Sequence, residues 1–248
     1  MQTRLGVRLD QWISDHGFAP SRSRARDLII SGLVRVNGAR SIKPARTVAG
    51  SDVIDVDGHA ASRVSRGATK LETALDAYAL SPAGLTIADI GASTGGFTQV
   101  LLERGAAHVY AIDVGRDQLH SDLRDDSRVS VMEQTDVRDV TRACLPKLPD
   151  ALVADLSFIS LRTALRAALD WVVPGGWAVA LIKPQFEVGR GTVGKGGIVR
   201  DTAAVERAVD DVATWLAAQP GWATRAPMSS PLLGGDGNRE FLIAADRS

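Results

Sequence analysis

The chain has little cysteine, little histidine and no long apolar run. Its only cysteine, Cys144, can form neither an intramolecular disulfide nor a cysteine metal cluster. The 4 histidines show none of the spacings of a metal-binding motif. No apolar run approaches the roughly 18 residues that span a bilayer, and the first residues show no apolar signal core. We therefore expect a soluble, cytoplasmic protein with no metal ion and no membrane partner.

The net charge of the chain is zero, but its charged residues are unevenly distributed. Residues 1–70 carry 12 Lys and Arg and 6 Asp and Glu, whereas the remaining residues carry 17 and 23. A basic segment joined to an acidic one indicates that the basic part meets a polyanion. Small domains also differ in charge by chance, so this asymmetry alone leaves nucleic acid as one of two readings.

The first sixty residues predict a small α+β unit. Apolar residues at helical spacing predict a helix over 9–13, which Gly17 ends. Ser21 or Ser23 can cap a second helix. Further along, Asn37-Gly38 lies between two short β-prone runs and predicts a hairpin.

Residues 7–57 resemble the S4 RNA-binding domain. The resemblance lies in Arg8-Leu9-Asp10-x-Trp12, in a Ser/Arg-rich helix entry and in Gly32-Leu33-Val34-x-Val36-Asn37-Gly38. It implies that basic side chains contact RNA phosphates, which supply affinity without sequence choice; the alternative is a solvated helix face. The residues expected to contact RNA are Arg4, Arg8, Arg22, Arg24, Arg26, Arg35, Lys43 and Arg66.

The rest of the chain alternates short apolar strands with helical segments. The helices are predicted near 96–104, 116–124, 160–172 and 202–218. This alternation predicts an α/β fold, a Rossmann-like domain with a parallel sheet and an antiparallel last strand. Ligands bind such sheets at the carboxyl ends of the strands.

A glycine-rich turn, Ala88-Asp89-Ile90-Gly91-Ala92-Ser93-Thr94-Gly95-Gly96-Phe97-Thr98, follows the first strand of that series. The dinucleotide pattern G-x-G-x-x-G is not met, because Ala92 replaces its second glycine. Asp113 and Asp136 follow later strands, where carboxylates suit ribose hydroxyls, an adenine amino group and a sulfonium. These residues favour S-adenosylmethionine over a nicotinamide cofactor. The predicted cofactor-binding residues are Asp89, Gly91, Ala92, Ser93, Thr94, Gly95, Gly96, Phe97, Asp113, Asp136, Val137 and Asp155.

From Lys70 onward the chain resembles the FtsJ-type RNA 2′-O-methyltransferases, and with the S4-like part it resembles the TlyA family, also named hemolysins. The motifs that carry the resemblance are Ser65-Arg66-Gly67-Ala68-x-Lys70-Leu71, Ala154-Asp155-Leu156-Ser157-Phe158-Ile159-Ser160, Lys183-Pro184-Gln185-Phe186-Glu187-Val188-Gly189 and Gly237-Asn238-x-Glu240, together with the glycine-rich turn. The resemblance implies 2′-O-methylation of a ribosomal RNA cytidine, with large-subunit RNA favoured, and a catalytic set of Lys70, Asp155, Lys183 and Glu240.

The residue types of this set suit the reaction. A ribose hydroxyl is a weak nucleophile that needs a base and a methyl donor in line with it. A lysine can be that base if burial and a second cation lower its pKa, and Lys183 follows an apolar strand, with Lys70 as the second cation. Asp155 and Glu240 would orient the groups, although carboxylates also favour a charged lysine. Phe158 and Phe186 would each either stack on a flipped base or pack in the core.

The predicted domains are an S4-like domain over 1–60, a linker over 61–66 and a methyltransferase domain over 67–248, in a chain that we expect to be monomeric. The linker reads Ala61-Ser62-Arg63-Val64 where the family has Arg-x-Trp-Val. Three other hypotheses stay open: a nicotinamide-dependent oxidoreductase, a non-catalytic S4-type assembly factor, and a pore-forming hemolysin, for which no amphipathic or apolar segment speaks.

Overall fold

The structure, a computed structural model, describes residues 6–19, 21–57, 63–234 and 237–248, and of Arg190 the backbone only. Contacts divide the chain into two compact units, Met1–Arg66 and Gly67–Ser248.

The first unit packs two helices beside short antiparallel strands. Strand β1 (Val7–Arg8) leads into α1 (Leu9–Asp15), and α2 (Arg22–Ile30) follows. The strands β2 (Val34–Val36), β3 (Ala39–Ser41) and β5 (Ile54–Val56) form one sheet in the order β3-β2-β5, while β4 (Thr47–Val48) pairs with β1. The apolar residues of both helices and of β2 form a core of their own, which includes Leu9, Ile13, Leu28, Ile29, Val34 and Val36.

Local signals in this unit act as the sequence predicts. The Ser21 side chain accepts a hydrogen bond from the Arg24 amide and caps α2. Asn37 and Gly38 have φ of 54° and 77°, the left-handed pair that a tight hairpin between β2 and β3 requires.

The second unit is a twisted sheet with helices on its faces. Its strands are β6 (Thr86–Ile90), β7 (His108–Ile112), β8 (Val129–Met132), β9 (Ala151–Ala154), β10 (Trp177–Ile182), β11 (Trp222–Thr224), β12 (Met228–Ser229) and β13 (Phe241–Arg247). Its helices are α3 (Gly67–Ala77), α4 (Gly96–Glu103), α5 (Ser121–Arg124), α6 (Leu161–Ala168), α7 (Pro184–Glu187) and α8 (Thr202–Ala217), with short 3₁₀ turns at Val137–Asp139, Arg142–Cys144, Leu169–Trp171 and Arg190–Thr192.

The strand order is β11-β13-β10-β9-β6-β7-β8, and β12 pairs with β13. Strands β10, β9, β6, β7 and β8 run parallel, whereas β13 is antiparallel to β10, β11 and β12. The predicted parallel sheet with an antiparallel last strand is therefore confirmed. One face of β6, β7, β9, β10 and β13 packs with α6 and α8 in a continuous apolar core.

One predicted helix is much shorter than expected. The sequence predicts a helix near 116–124, but only Ser121–Arg124 is helical. The preceding backbone is used otherwise, because Glu133 accepts hydrogen bonds from the amides of Asp117, Gln118 and Leu119. Asp117 has φ of 52°, outside the helical region.

Candidate active site

Four chemistry-bearing residues follow the carboxyl ends of parallel strands. Gly91 follows β6, Asp113 follows β7, Asp155 follows β9 and Lys183 follows β10. Glu240 precedes β13, and because Ile182 pairs with Phe241, the antiparallel register places Glu240 opposite Lys183. The topology thus gathers these residues along one edge of the sheet, where ligands bind α/β folds.

A cleft of about 660 Å³ opens at this edge, a size typical of small-molecule sites. Of the predicted cofactor residues, those that line it are Gly91, Ser93, Asp113, Asp136, Val137 and Asp155. Its other walls are Ile90, Ile112, Val114, Gly115, Gln118, Thr135, Arg138, Leu156, Ser157, Phe158 and Ile159. Three carboxylates therefore face a cleft whose remaining walls are both polar and apolar.

Asp113 holds two turns of the cleft wall together. Its two carboxylate oxygens accept hydrogen bonds from the amides of Ser93 at 2.9 Å and Gly115 at 2.7 Å. A carboxylate offers about four acceptor positions, so it retains capacity for the hydroxyls of a ribose. Gly91 has φ of +82°, and a Cβ there would lie 2.5 Å from the Asp155 carbonyl oxygen, so the turn requires glycine.

Asp89 does not lie in the cleft wall, which corrects the expectation of direct cofactor contact. It is fully buried and accepts a hydrogen bond from the Thr98 hydroxyl at 2.6 Å. Burial, opposed by the Thr98 hydrogen bond and assisted by the charge of Asp155, raises the pKa of Asp89 to about 7. The other predicted residues outside the cleft lining are Ala92, Thr94, Gly95, Gly96 and Phe97, which form the turn and the start of α4.

Asp136 reaches the cleft, but its carboxylate already binds Arg138. The Arg138 guanidinium contacts both carboxylate oxygens, at 2.9 and 2.5 Å, and the Arg138 amide is capped by the same group. These hydrogen bonds lower the pKa of Asp136 to about 2. Val137 beside it is buried, so this corner of the cleft combines an ion pair with an apolar surface.

The four residues predicted to be catalytic form two ion pairs. Lys183 Nζ lies 2.7 Å from Asp155 Oδ1, and the side chains are 12% and 21% exposed. Lys70 Nζ lies 2.5 Å from Glu240 Oε2, with side chains 9% and 3% exposed. Asp155 lines the cleft. The Lys70–Glu240 pair is packed against Gly234, where a Cβ would come within 2.5 Å of Glu240 Oε1.

The first unit places the predicted RNA contacts unequally. Arg26, Arg35 and Lys43 are exposed. Arg8 binds Asp10 through two hydrogen bonds, and Arg22 lies 3.4 Å from the same carboxylate. Both remain about half exposed, whereas Arg66, 3.7 Å from an Asp27 oxygen, is 26% exposed. Arg4 lies outside the described residues.

Arg24 is the residue for which the RNA prediction is corrected. Its side chain is buried, 7% exposed, and its Nε donates to the Arg63 carbonyl oxygen. Burial lowers its pKa. Arginines at alternate positions of a helix point in different directions, so one of three at this helix entry faces inward and serves the unit's own packing.

Sequence reasoning missed Ser157, which lines the cleft, and Glu133, which lies outside the lining. Ser157 accepts a hydrogen bond from Lys183, and Glu133 organises the loop that contains Gln118. Ser157 lies in the motif Ala154–Ser160, two residues after Asp155, and this proximity is a signal that could have identified it. Glu133 follows a strand without any motif, so nothing local marks it.

The comparisons with known proteins give two family matches. The FtsJ-like methyltransferase model matches residues 63–247 and the S4 domain model matches residues 7–54. A 16S/23S rRNA (cytidine-2′-O)-methyltransferase TlyA from Mycobacterium tuberculosis is 46% identical, over 96% of this chain and 88% of that protein. Hemolysin A from Brachyspira hyodysenteriae is 38% identical, over 95% of this chain and 98% of that protein.

A solved structure from Streptococcus thermophilus, described provisionally as a hemolysin, has a TM-score of 0.75 and 39% identity, over 98% of this chain and 89% of that one. Within the described residues, no helix is long and apolar enough to cross a membrane. Three observations indicate the same family: the near-complete coverage by TlyA relatives, the FtsJ-like match and the cleft at the sheet edge. The chain belongs to the TlyA family of FtsJ-like methyltransferases, with an S4 domain in front.

Proposed function

We propose that this protein transfers a methyl group from S-adenosylmethionine to the 2′-oxygen of a cytidine ribose in ribosomal RNA. The observation that carries the proposal is the Lys183–Asp155 ion pair, in which the two side chains are 2.7 Å apart and the carboxylate partner lines the cleft. Relatives that are 46% identical bear the name of this reaction.

The residues present fit the cofactor. A cleft of about 660 Å³ has room for it, and the glycine turn at Gly91 lets backbone approach a ligand closely. Asp113 would accept the ribose hydroxyls. Asp136 accepts three hydrogen bonds from Arg138, and its remaining acceptor position, about one of four, would accept the adenine amino group. The carboxylate of Asp155 would attract the positive sulfonium. S-adenosylmethionine supplies an activated methyl group whose carbon–sulfur bond breaks with its electron pair left on sulfur.

We propose that Lys183 is the base. An uncharged Lys183 amine takes the proton of the 2′-hydroxyl as the oxygen–methyl bond forms, and the resulting ammonium is stabilised by Asp155. Lys70 and Glu240 neutralise each other in a buried pair, so their proposed part is to position the ribose and the neighbouring groups at the sheet edge. Phe158 is 91% exposed and lines the cleft, which favours base stacking over core packing.

We propose that residues 1–60 bind RNA, that 61–66 form the linker and that 67–248 carry the chemistry. The partner is ribosomal RNA within a ribosomal subunit, met in the cytoplasm by a monomer. The exposed basic residues Arg26, Arg35 and Lys43 suit phosphate contact, and large-subunit RNA is the preferred target by the resemblance.

The testing experiment is transfer of labelled methyl from S-adenosylmethionine to purified small and large ribosomal subunits. Wild-type protein, Lys183→Ala and the exposed control Lys147→Ala are compared. General-base catalysis contributes about 10²- to 10⁴-fold, so Lys183→Ala should lose at least about 100-fold in rate. Lys147→Ala should match the wild type.

Nucleoside analysis of the product locates the label. Label on a cytidine 2′-oxygen that depends on Lys183 supports both the reaction and the base. Label that persists in Lys183→Ala contradicts the role of Lys183. No label on either subunit from folded wild-type protein favours the non-catalytic assembly factor, and leakage of lipid vesicles would favour the hemolysin.

A further inference from the structure

Ser157 holds the same amine as Asp155 does. Lys183 Nζ donates to Ser157 Oγ at 2.8 Å and lies 2.7 Å from Asp155 Oδ1. Ser157 is exposed and lines the cleft, as Asp155 does. We infer that Ser157 is a positioning residue that aims the Lys183 amine at the ribose hydroxyl. This inference rests on the proposed function, since it takes Lys183 as the base.

The geometry follows from the valence of nitrogen. An uncharged lysine amine has two N–H bonds and one lone pair. Ser157 accepts one N–H bond, whereas Asp155 Oδ1 lies 2.7 Å from the nitrogen as an ion-pair partner without a hydrogen bond. If the second N–H bond of the uncharged amine turns toward that oxygen, the lone pair has one remaining direction, away from both oxygens. With Asp155 alone, the amine rotates about its last carbon–nitrogen bond, and the lone pair sweeps over many directions. A base that must meet one proton in line with a methyl donor gains from such restriction.

The segment that carries Ser157 is itself fixed at both ends. The Asp155 amide donates to the Ile90 carbonyl oxygen at 3.0 Å. At the other end, the Ser160 hydroxyl donates to Glu187 Oε2 at 2.6 Å, and the Leu161 amide donates to Glu187 Oε1 at 2.7 Å.

Glu187 lies four residues after Lys183, in α7, and its side chain is 1% exposed. The segment with the base and the segment with the serine are therefore tied twice, through Lys183–Ser157 and through Glu187–Ser160. Phe158 between them has φ of 66°, a conformation uncommon for a residue other than glycine. Ser157 is thus presented by a defined loop rather than by a flexible surface chain.

The test is the steady-state kinetics of Ser157→Ala and Ser157→Thr on the ribosomal subunit that the wild type methylates. Ser121→Ala, an exposed serine at the start of α5, is the matched control. We expect Ser157→Ala to lower kcat by about 10- to 100-fold, the range that misplacement of a reacting group produces. The KM for RNA and the Kd for S-adenosylmethionine should change less than about threefold, because binding precedes use of the base.

Ser157→Thr retains the hydroxyl and should recover most of kcat, which a purely structural role would not predict. Ser121→Ala should match the wild type. The inference would be overturned if the kcat of Ser157→Ala stayed within about threefold of the wild-type value. It would also be overturned if Ser157→Ala and Ser157→Thr lost kcat equally. Failure of the wild type itself to methylate RNA would instead overturn the proposed function, so the two failures are distinct.

Discussion

Asp89 is a fully buried carboxyl group whose surroundings favour the neutral form. Its pKa of about 7 lies above the value of 3.8 for an exposed aspartate. Between these values the unfolded chain loses the proton and the folded protein keeps it, so stability falls as pH rises from about 4 to 7. Well above pH 7 the Asp89 carboxyl is ionised in both the folded and the unfolded protein, so stability falls no further on its account.

Asp89→Asn keeps the shape without the titration. We expect the wild type to lose stability relative to this variant by up to about 1.4 kcal/mol for each pH unit between about 4 and 7. Denaturant unfolding of both proteins at pH 5, 6 and 8 measures the difference. A difference in the free energy of unfolding between the two proteins that stays constant over this pH range would contradict the raised pKa.

Single residues also mark the limit of sequence reasoning. Lys183 and Asp155 were predicted separately, from strand ends and from resemblance, and the structure shows them in direct contact. Asp89 was assigned to the cofactor because of its place before the glycine turn, yet its side chain points into the core. Successive residues of a strand point to opposite faces of the sheet. In a strand that is buried on both faces, every position is apolar or enclosed, so the sequence pattern does not show which face a given residue takes.

At the scale of elements, the loop between β7 and α5 depends on Glu133. This carboxylate accepts three backbone amides, from Asp117 to Leu119, and binds the Arg124 side chain at 2.9 Å. Hydrogen bonds from Arg124 and from those amides lower the pKa of Glu133 to about 2. The charge is therefore present at pH 4, where ordinary glutamates titrate, and it is lost only as pH falls toward 2.

Glu133→Gln should loosen this loop and weaken cofactor binding, since Gln118 and Gly115 line the cleft. An amide oxygen is a weaker acceptor than a carboxylate, so we expect the Kd for S-adenosylmethionine to rise roughly 10-fold. Calorimetry gives the Kd, and hydrogen exchange at residues 117–119 reports the loop. Glu206→Gln, on the exposed side of α8, is the control. Unchanged exchange at these amides would contradict the role of Glu133.

Elements with strong periodicity were predictable, and this loop was not. The strands β6, β9 and β10 arise where the apolar pattern is continuous, and they lie close to the ranges 85–90, 151–155 and 176–182 that this pattern predicts. The helix α8 likewise lies close to the predicted range 202–218. The helix expected near 116–124 was wrong over its first half because a glutamate from beyond the next strand takes its amides. A contact between segments 15 residues apart leaves no local pattern to detect.

For the whole molecule, the uneven charge predicts how RNA affinity is distributed. Arg26 in α2 is exposed, whereas Arg24, two residues earlier in the same helix, is buried. Arg26→Ala should weaken binding to ribosomal RNA and reduce the salt dependence of affinity by about one unit of slope. Arg24→Ala should instead destabilise the first unit by about 1–3 kcal/mol, because a buried hydrogen bond is lost.

Fluorescence anisotropy with a labelled RNA fragment over a series of salt concentrations measures the affinity, and thermal unfolding measures the stability. Arg24→Ala with normal melting and the same loss of affinity as Arg26→Ala would show that both arginines face the RNA. Charge counts alone identify residues 1–70 as the basic segment of the chain. They could not separate inward from outward arginines, because composition carries no direction.

The place of β13 in the sheet has a consequence for biosynthesis. This strand comes after all the others in the chain, yet it lies between β11 and β10 rather than at an edge. During translation β10 and β11 are synthesised before β13, so their edges stay unpaired until β13 is made. Glu240 directly precedes β13, and it can form its ion pair with Lys70 only at that stage. A nascent chain that ends before residue 240 therefore has an open sheet and lacks the Lys70–Glu240 ion pair. The central sheet is therefore complete only after the segment that carries β13 has been synthesised.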